Sequence, residues 1–572
     1  MDFKEKIADL LAKETKQEKA VIMALLTKPP EGMGDFAYPC FALAKAQKKA
    51  PNAISEGLAG SISAHFLEKV EGKGPYINFF VKKGVLADEA LETIFMGKFL
   101  SKGKKKNKIM VEYSAPNTNK PLHVGHLRNG ALGLALSNLL EELGNEVVKA
   151  NLVNDRGVHI CKSMLAYKLF APKKSPESEK KKSDHFVGDM YVLYNKKLEE
   201  DSSLGQKAQE MIQQWEKGDK ETMALWKKMN KWALDGMKET YKTFGSKFDV
   251  WFLESEMFKK QLGKKIVEEG LKKKIFVKEE NGAITAMLEP ELPNKVLLRG
   301  DGTSLYATND LGVTQEKFDS FKLDQAIWVV ANEQDLYFRQ LFAIFKKLGR
   351  PWASKCFHMS YGMVNLTTGK MKSREGTVVD ADDLISEVKE LALKEIEERY
   401  KNLSAKEKEK RAAAIALGSI KFFLLKNDAK REMLFEPEKS IAFEGETGPY
   451  LQYAYARAKS ILRKAEEEKI DLKGLRKAEF ELLVHEKEKE LVVELSKFNS
   501  SAQKSWEELS LHPLCHCLLS ITEKFNSFYH EVPVLKNENK KEKLARLALV
   551  RATTLVLEKG LSILDIEAIE EM

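Results

Sequence analysis

The sequence predicts a doubly wound α/β core, interrupted by a helical insertion, with a small α+β unit before it and an all-helical bundle after it. Three observations predict this. A short β-rich run, a polar loop, a long helical pattern and a second β-rich run follow one another between Ile109 and Val153. Strand signals return near Lys295 and at Gln325, each leading into a helical pattern. From about Ala381 onward the apolar periodicity is almost entirely helical. At roughly 150 residues per domain, 572 residues are enough for three or four domains.

The first unit, residues 1–105, opens with MDFKEKIADLLAKETK, charged and amphipathic from its second residue and therefore no secretory signal. The strand-like PYINFFV lies near its end, and the basic, turn-prone SKGKKKNK marks the boundary. The core, residues 106–380, begins with the strand IMVEY and the loop SAPNTNKP. A helix follows from about Leu122 to Leu143, closed by Gly144, and then the strand EVVKANLV. Between about 173 and 245 the chain is helical, lysine-rich and Trp-containing, which breaks the α/β rhythm and reads as an insertion. KVLLRGDGTSLYAT and QAIWVVA restore the rhythm, and the glycine-containing TTGKMKSREGTVV closes the core. A helical stem covers 381–444, and a helical bundle covers 445–572. No internal repeat is visible.

Composition excludes whole classes. Hydrophobic residues make up 43% and charged residues 31%, the balance of a folded globular protein rather than a disordered one. Lysine and arginine number 94 against 85 acidic residues, a net charge of +9. That excess permits a polyanionic partner such as nucleic acid, and a solvated lysine-rich surface explains it equally well. Five cysteines without metal-type spacing suit a reducing, cytoplasmic setting and no zinc. Cys515 and Cys517 lie two apart in a helical stretch and so point to different faces. No uninterrupted apolar run reaches about 18 residues, so no membrane span is expected.

The most informative stretch is SAPNTNKPLHVGHLR, Ser114 to Arg128, in a strand-to-helix turn. Free backbone N–H groups and the helix dipole favour an anion there. His123 and His126 are three apart, nearly on one face of the first turn, and Gly125 removes a side chain between them. This is a cradle for nucleotide phosphates. A helix start that happens to hold two histidines is the bland alternative; a zinc pair lacks a third ligand at suitable spacing. A second basic segment, KMKSREG (Lys370 to Gly376), offers cations to a triphosphate, although a solvated lysine loop fits its composition as well.

His123-Val-Gly-His126 resembles the HIGH signature of class I aminoacyl-tRNA synthetases, and the flanking SAPNTNKPLHVGHLRN is similar to the arginyl family in particular. HxGH alone is shared with other nucleotidyltransferases; the fifteen-residue stretch is specific. KMKSREG resembles the KMSK loop with a departure: Lys372 stands third and Ser373 fourth, so the usual second lysine is missing at its position. In the arginyl family a lysine just upstream of HIGH replaces it, and Lys120 occupies that place. The resemblance therefore implies His123, His126, Lys120, Lys370 and Lys372 as catalytic. It implies ATP contacts from His123, Gly125, His126, Met371, Lys372 and Ser373.

A guanidinium is permanently charged and planar, so its pocket should offer carboxylates. Glu112 and Asp310 are candidates. Taken alone, Glu112 reads as a strand-end carboxylate and Asp310 as a first-turn acid of a helix starting near Thr308. By resemblance, Glu112, Tyr306 and Asp310 match the family's arginine pocket. Ser114, Asn117, His126 and Gln334 would hold the rest of the amino acid. GETGPYLQYAYAR places Tyr450, Tyr453 and Arg457 at helical spacing, an aromatic–cationic face that core packing explains as readily as base stacking. That segment looks like the entrance to a DALR-type anticodon-binding domain, where Tyr529 and Met572 also match. Gly34 to Lys45 resembles the family's additional domain, which touches the tRNA elbow.

The expectation is thus a class I Rossmann-type ligase, a cytoplasmic monomer, using ATP, Mg²⁺, L-arginine and tRNA(Arg), whose arginine activation waits for bound tRNA. A class I enzyme for another amino acid is the first alternative. Glutamate selection would want cations where Glu112 and Asp310 stand. A silent RNA-binding paralogue is the second, and it should have lost the HxGH histidines.

Overall fold

The middle of the chain is organised by five parallel strands. They are β1 Lys108–Glu112, β2 Glu146–Val153, β3 Val250–Leu253, β4 Gln325–Ala331 and β5 Cys356–Tyr361. In this computed structural model they lie side by side in the order β5-β4-β1-β2-β3. The order reverses between β1 and β4, and an open parallel sheet binds ligands at the carboxyl ends beside such a reversal. Glu112 pairs with Trp328 at that seam. The structure describes residues 3–27, 29, 30, 32–103, 105–303, 305–366 and 379–572. Lys370, Met371, Lys372 and Ser373 lie outside the described residues.

The helix after β1, Val124–Glu142, is buried nearly all round. Its small and aliphatic residues, GALGLALSNLL, fit a helix enclosed on every side rather than a surface stripe. Arg128 is its exception. Fully buried, it donates from one terminal nitrogen to the carbonyls of Gly362 (2.5 Å) and Met363 (3.3 Å). From the other it donates to those of Ala429 and Arg431 (2.9 Å each). Burial lowers its pKa to about 10.

The insertion between β2 and β3 is helical as expected: Ser183–Glu200, Ser203–Glu216 and Lys220–Phe244, the last closed by Gly245 at φ 89°. A small antiparallel sheet of Phe276–Lys278, Ile284–Ala286 and Lys295–Leu298 precedes helix Tyr306–Phe321. Helices Ala381–Arg399 and Ala405–Leu425 form the stem, but Met433–Phe435 is a strand, paired in parallel with Val364–Leu366. That short strand interrupts the helical stem expected over 381–444.

Contacts divide the chain into two compact units. One comprises Met1–Phe99, Arg457–Asn499 and Ser520–Leu557; the other comprises Leu100–Ala456, Ser500–Leu519 and Glu558–Met572. In the first, strands Phe36–Pro39, Tyr76–Val81 and Leu67–Lys73 form an antiparallel sheet over a core of Phe3, Ile7, Leu11, Tyr38 and Phe79. Among the described residues no helix is long and apolar enough to cross a membrane.

Candidate active site

The loop after β1 turns through two residues at positive φ, Ser114 (77°) and Ala115 (48°). Side chains from neighbouring elements hold this costly geometry. Asn129 accepts from the Ser114 N–H (2.5 Å) and donates to the Val329 carbonyl (2.7 Å), while Asn151 accepts from the Ala115 N–H (3.1 Å). The Ser114 hydroxyl lies 2.5 Å from that of Tyr241, in the insertion. Asn117 forms a parallel bridge with Asn154. The polar loop is therefore fixed by β2, β4 and the inserted helices together.

His123 is the N-cap of the buried helix, and its imidazole is part of the capping. The Gly125 N–H donates to His123 Nδ1 (3.1 Å), and the His123 N–H donates to His126 Nδ1 (3.1 Å). Each histidine thus takes a place that Ser and Glu usually share in a capping box. Both Nδ1 atoms accept, so this bonding assigns the hydrogen of each neutral ring to Nε2. Burial, then the nearby Lys120 ammonium, lowers the His123 pKa to about 4. Burial, His123 and Lys120 push His126 well down too. The rings stand 3.9 Å apart between centroids. Gly125 is needed by this arrangement: a Cβ there would come 2.9 Å from His123 Cε1. The result is two neutral N–H donors, a helix N-terminus and Lys120, all suited to phosphate oxygens.

The carboxylates form a second group, in which the charge of Asp310 acts on Glu254 and that of Glu112 on Asp310. Helix Tyr306–Phe321 starts at Tyr306, two residues earlier than expected, so Asp310 sits beyond its first turn and is not an end-capping acid. The Tyr337 hydroxyl donates to Asp310 Oδ2. Burial raises the Asp310 pKa to about 6 against the pull of Tyr337. Glu112 is buried and already forms an ion pair with Lys317, itself 2% exposed. Tyr306 is 65% exposed and Gln334 is exposed in the turn after β4. Glu254, which follows β3 directly, was not singled out in the sequence. Burial, then the charge of Asp310, raises its pKa to about 7. Its position at a strand's carboxyl end is the signal that could have found it.

Tyr450, Tyr453 and Arg457 do lie on one helix, Gly448–Glu467. Tyr450 and Tyr453 are partly buried, in the second compact unit. Arg457 and Tyr529 are in the first; the guanidinium lies 5.3 Å from the Tyr529 ring centroid, and Tyr529 is 42% exposed. Met572 ends a tail held by Gln452 donating to the Glu567 carbonyl (2.9 Å) and by Arg411 with Glu571 (3.3 Å).

The family model "tRNA synthetases class I (R), catalytic domain" matches residues 91–436. The chain belongs to the arginyl-tRNA synthetases. The "Arginyl tRNA synthetase N terminal domain" matches residues 1–81, and the "DALR anticodon binding domain" matches 451–572. The arginine–tRNA ligase of Treponema denticola is 45% identical over 564 residues, covering 96% of this chain and 94% of that one. That of Borreliella afzelii is 39% identical over 553 residues, covering 95% and 93%. The solved arginyl-tRNA synthetase of Thermus thermophilus superposes with a TM-score of 0.85 at 27% identity, over 100% of both chains. The Plasmodium falciparum arginyl-tRNA synthetase shares the fold, with a TM-score of 0.80 at 19% identity, over 100% of this chain and 99% of that one. In this synthetase fold the histidine turn follows β1, and Glu112 ends β1 at its seam with β4.

Proposed function

We propose that the arginine–tRNA ligase activity of this chain runs in two steps across that seam. The arginine carboxylate attacks the α-phosphorus of ATP in line; pyrophosphate leaves and arginyl-adenylate forms. The terminal 2′-hydroxyl of tRNA(Arg) then attacks the adenylate carbonyl, releasing AMP. The reading rests chiefly on the histidine capping box, which engages both Nδ1 atoms and so leaves two neutral Nε2–H donors to meet the charge that develops on phosphate. No covalent enzyme intermediate is required, because the attacking carboxylate is already ionised. Catalysis is positioning plus charge stabilisation.

Asp310, kept in place by Tyr337, meets the guanidinium, with Tyr306 at the rim. Glu112 acts together with its Lys317 partner, so the pair adds little net charge and Asp310 supplies the selective anion. Gln334 and Asn117 face the amino acid's other end, and Ser114 holds the loop. Neutral imidazoles, backbone N–H groups and a lysine suit phosphate, not a hard dication; Mg²⁺ would enter with ATP and neutralise part of the triphosphate charge. Charging total tRNA with each amino acid separately, with ATP, tests the whole. Arginine alone should be transferred; transfer of another amino acid, or of none, would overturn it.

Arginine binding should depend on pH. In the free enzyme Asp310 and Glu254 have pKa values of about 6 and 7, so both protonate as pH falls through that range. The cation binds their ionised forms, so the arginine KM should rise as pH falls from 8 to 5.5, and binding at pH 6.5 should release protons. A KM flat across that range would remove the carboxylate role.

Lys120 shares the phosphate work with the basic segment. Alanine at Lys120 should reduce kcat for activation more than alanine at Lys372, and the double variant gives their coupling. Small, fully additive effects would mean neither reaches the phosphates.

The C-terminal bundle reads the anticodon, and the candidates for stacking on a base are Tyr450 and Tyr453 in one compact unit and Tyr529, assisted by Arg457, in the other. Alanine at one of these tyrosines should cost about 1–3 kcal/mol per base, seen in kcat/KM for tRNA. Normal charging by a chain truncated near residue 440 would contradict this.

A further inference from the structure

The turn that carries His123 is held from outside its own element. The Val124 N–H donates to the Val379 carbonyl (3.0 Å), the Ala381 N–H donates to the Leu122 carbonyl (3.0 Å), and His123 bridges Asp380 antiparallel. The backbone on both sides of the capping histidine is thus paired with a tripeptide from the far end of the catalytic domain. Asp380 in turn caps helix Ala381–Arg399, its Oδ1 accepting from the N–H groups of Asp382 (2.8 Å) and Asp383 (3.3 Å).

A partly buried charge cluster, of which Asp184 alone is fully enclosed, joins the insertion to Asp380 and Asp382. Lys182 Nζ lies 2.7 Å from Asp382 Oδ2, 3.2 Å from Asp184 Oδ2 and 2.5 Å from Thr240 Oγ1. His185 Nε2 lies 3.1 Å from Asp382 Oδ2 and 3.5 Å from Asp380 Oδ2. The ligand-type atoms of Asp184, His185 and Asp382 fall within 4.8 Å of one another, the spacing of a cation site. Lys182 supplies the cation itself. Five charged groups from two separate elements therefore meet where the phosphate-binding scheme needs none of them.

We propose that Lys182, His185 and Asp382 are positioning residues for His123: their ion cluster ties the helical insertion to Asp380–Ala381, and that tie holds the capping imidazole at the phosphate. The charges support it. Burial opposes a charged His185, but Asp382, Asp380 and Asp184 together hold its pKa above the usual value. Burial likewise opposes an ionised Asp382, yet His185 and Lys182 bring it down to about 2. A raised histidine pKa means that its contribution is complete below the ordinary pKa and is lost as pH rises through the raised one. Lys182 bridges Asp382 and Asp184 as well, so the tie does not rest on His185 alone.

This inference rests on His123 acting at the phosphate, and the experiment separates the two claims. ATP–pyrophosphate exchange, with tRNA present and arginine saturating, is measured for Asp382→Asn, Lys182→Gln, Lys182→Arg, His123→Ala and the double His123→Ala/Asp382→Asn. Asp382→Asn and Lys182→Gln should lower kcat about 10- to 100-fold with the arginine KM unchanged. Lys182→Arg should recover most of the rate. In Lys182→Gln the His185 bridge and the Thr240 hydroxyl on Asp382 Oδ2 (3.2 Å) remain, and of these two only His185 carries charge, so kcat should fall more steeply than the native enzyme's as pH rises from 6 to 8.5. Adding Asp382→Asn to His123→Ala should cost nothing further. A normal kcat in Asp382→Asn, a loss fully additive with His123→Ala, or a matching rise in the arginine KM would overturn the positioning role. A normal rate in His123→Ala would overturn the phosphate role instead.

Discussion

Alanine at His123 or His126 is expected to slow adenylate formation roughly 10²–10³-fold, the effect of removing one preorganised donor from a developing charge. ATP binding should stay nearly intact, because the donors meet charge that grows only in the transition state. Each imidazole also bonds a backbone N–H through Nδ1, so alanine removes a helix cap as well as a donor. Cap loss alone costs about 1 kcal/mol of stability, and a melting curve will register it. His123→Asn separates the two roles: asparagine is a good N-cap but places no donor where Nε2 stands. Its stability should recover while its rate does not. An unchanged single-turnover rate with only weaker ATP binding would remove the donor role.

Asp310→Asn is expected to cost arginine binding about 2–5 kcal/mol, since a desolvated cation loses its counter-charge. At about 1.4 kcal/mol per tenfold, this is a KM increase of roughly 30-fold or more. Shape and the Tyr337 hydrogen bond survive, because the amide oxygen can still accept. ATP KM and melting temperature should therefore hold. A lowered melting temperature with a normal arginine KM would make Asp310 a structural residue.

Much of this was legible before any coordinates. QAIWVVA and EVVKANLV span β4 and β2 residue for residue, because apolar β-rich runs bounded by polar turns have few other uses. The buried helix was placed within two residues of its start and one of its end, as Gly144 (φ 92°) and the loop before His123 delimit it. β3 and the strand Met433–Phe435 escaped notice. At four and three residues they carry too little pattern, and their pairing partners lie far away in sequence. The site followed the same division. The histidine turn is local, so its motif could be read. The Glu112–Lys317 pair spans 205 residues, and nothing at either position announces the other. Asp310's raised pKa likewise comes from burial, opposed by Tyr337 and Lys317, and only the folded chain brings these together.

Arg128 has a consequence for how the chain is made. A ribosome delivers this guanidinium 303 residues before its last acceptor, the carbonyl of Arg431. Until then, enclosing the helix would bury a cation whose partners do not yet exist, a penalty of several kcal/mol. The nascent sheet has four of its strands by Ala331, but the helix beneath the histidines stays unsealed until Ala429 and Arg431 emerge. Domains usually settle in order as they leave the tunnel. Chains ending short of Ala429 therefore lack two of the carbonyls that receive Arg128, and are expected to be cleaved by protease faster around this helix than the full chain.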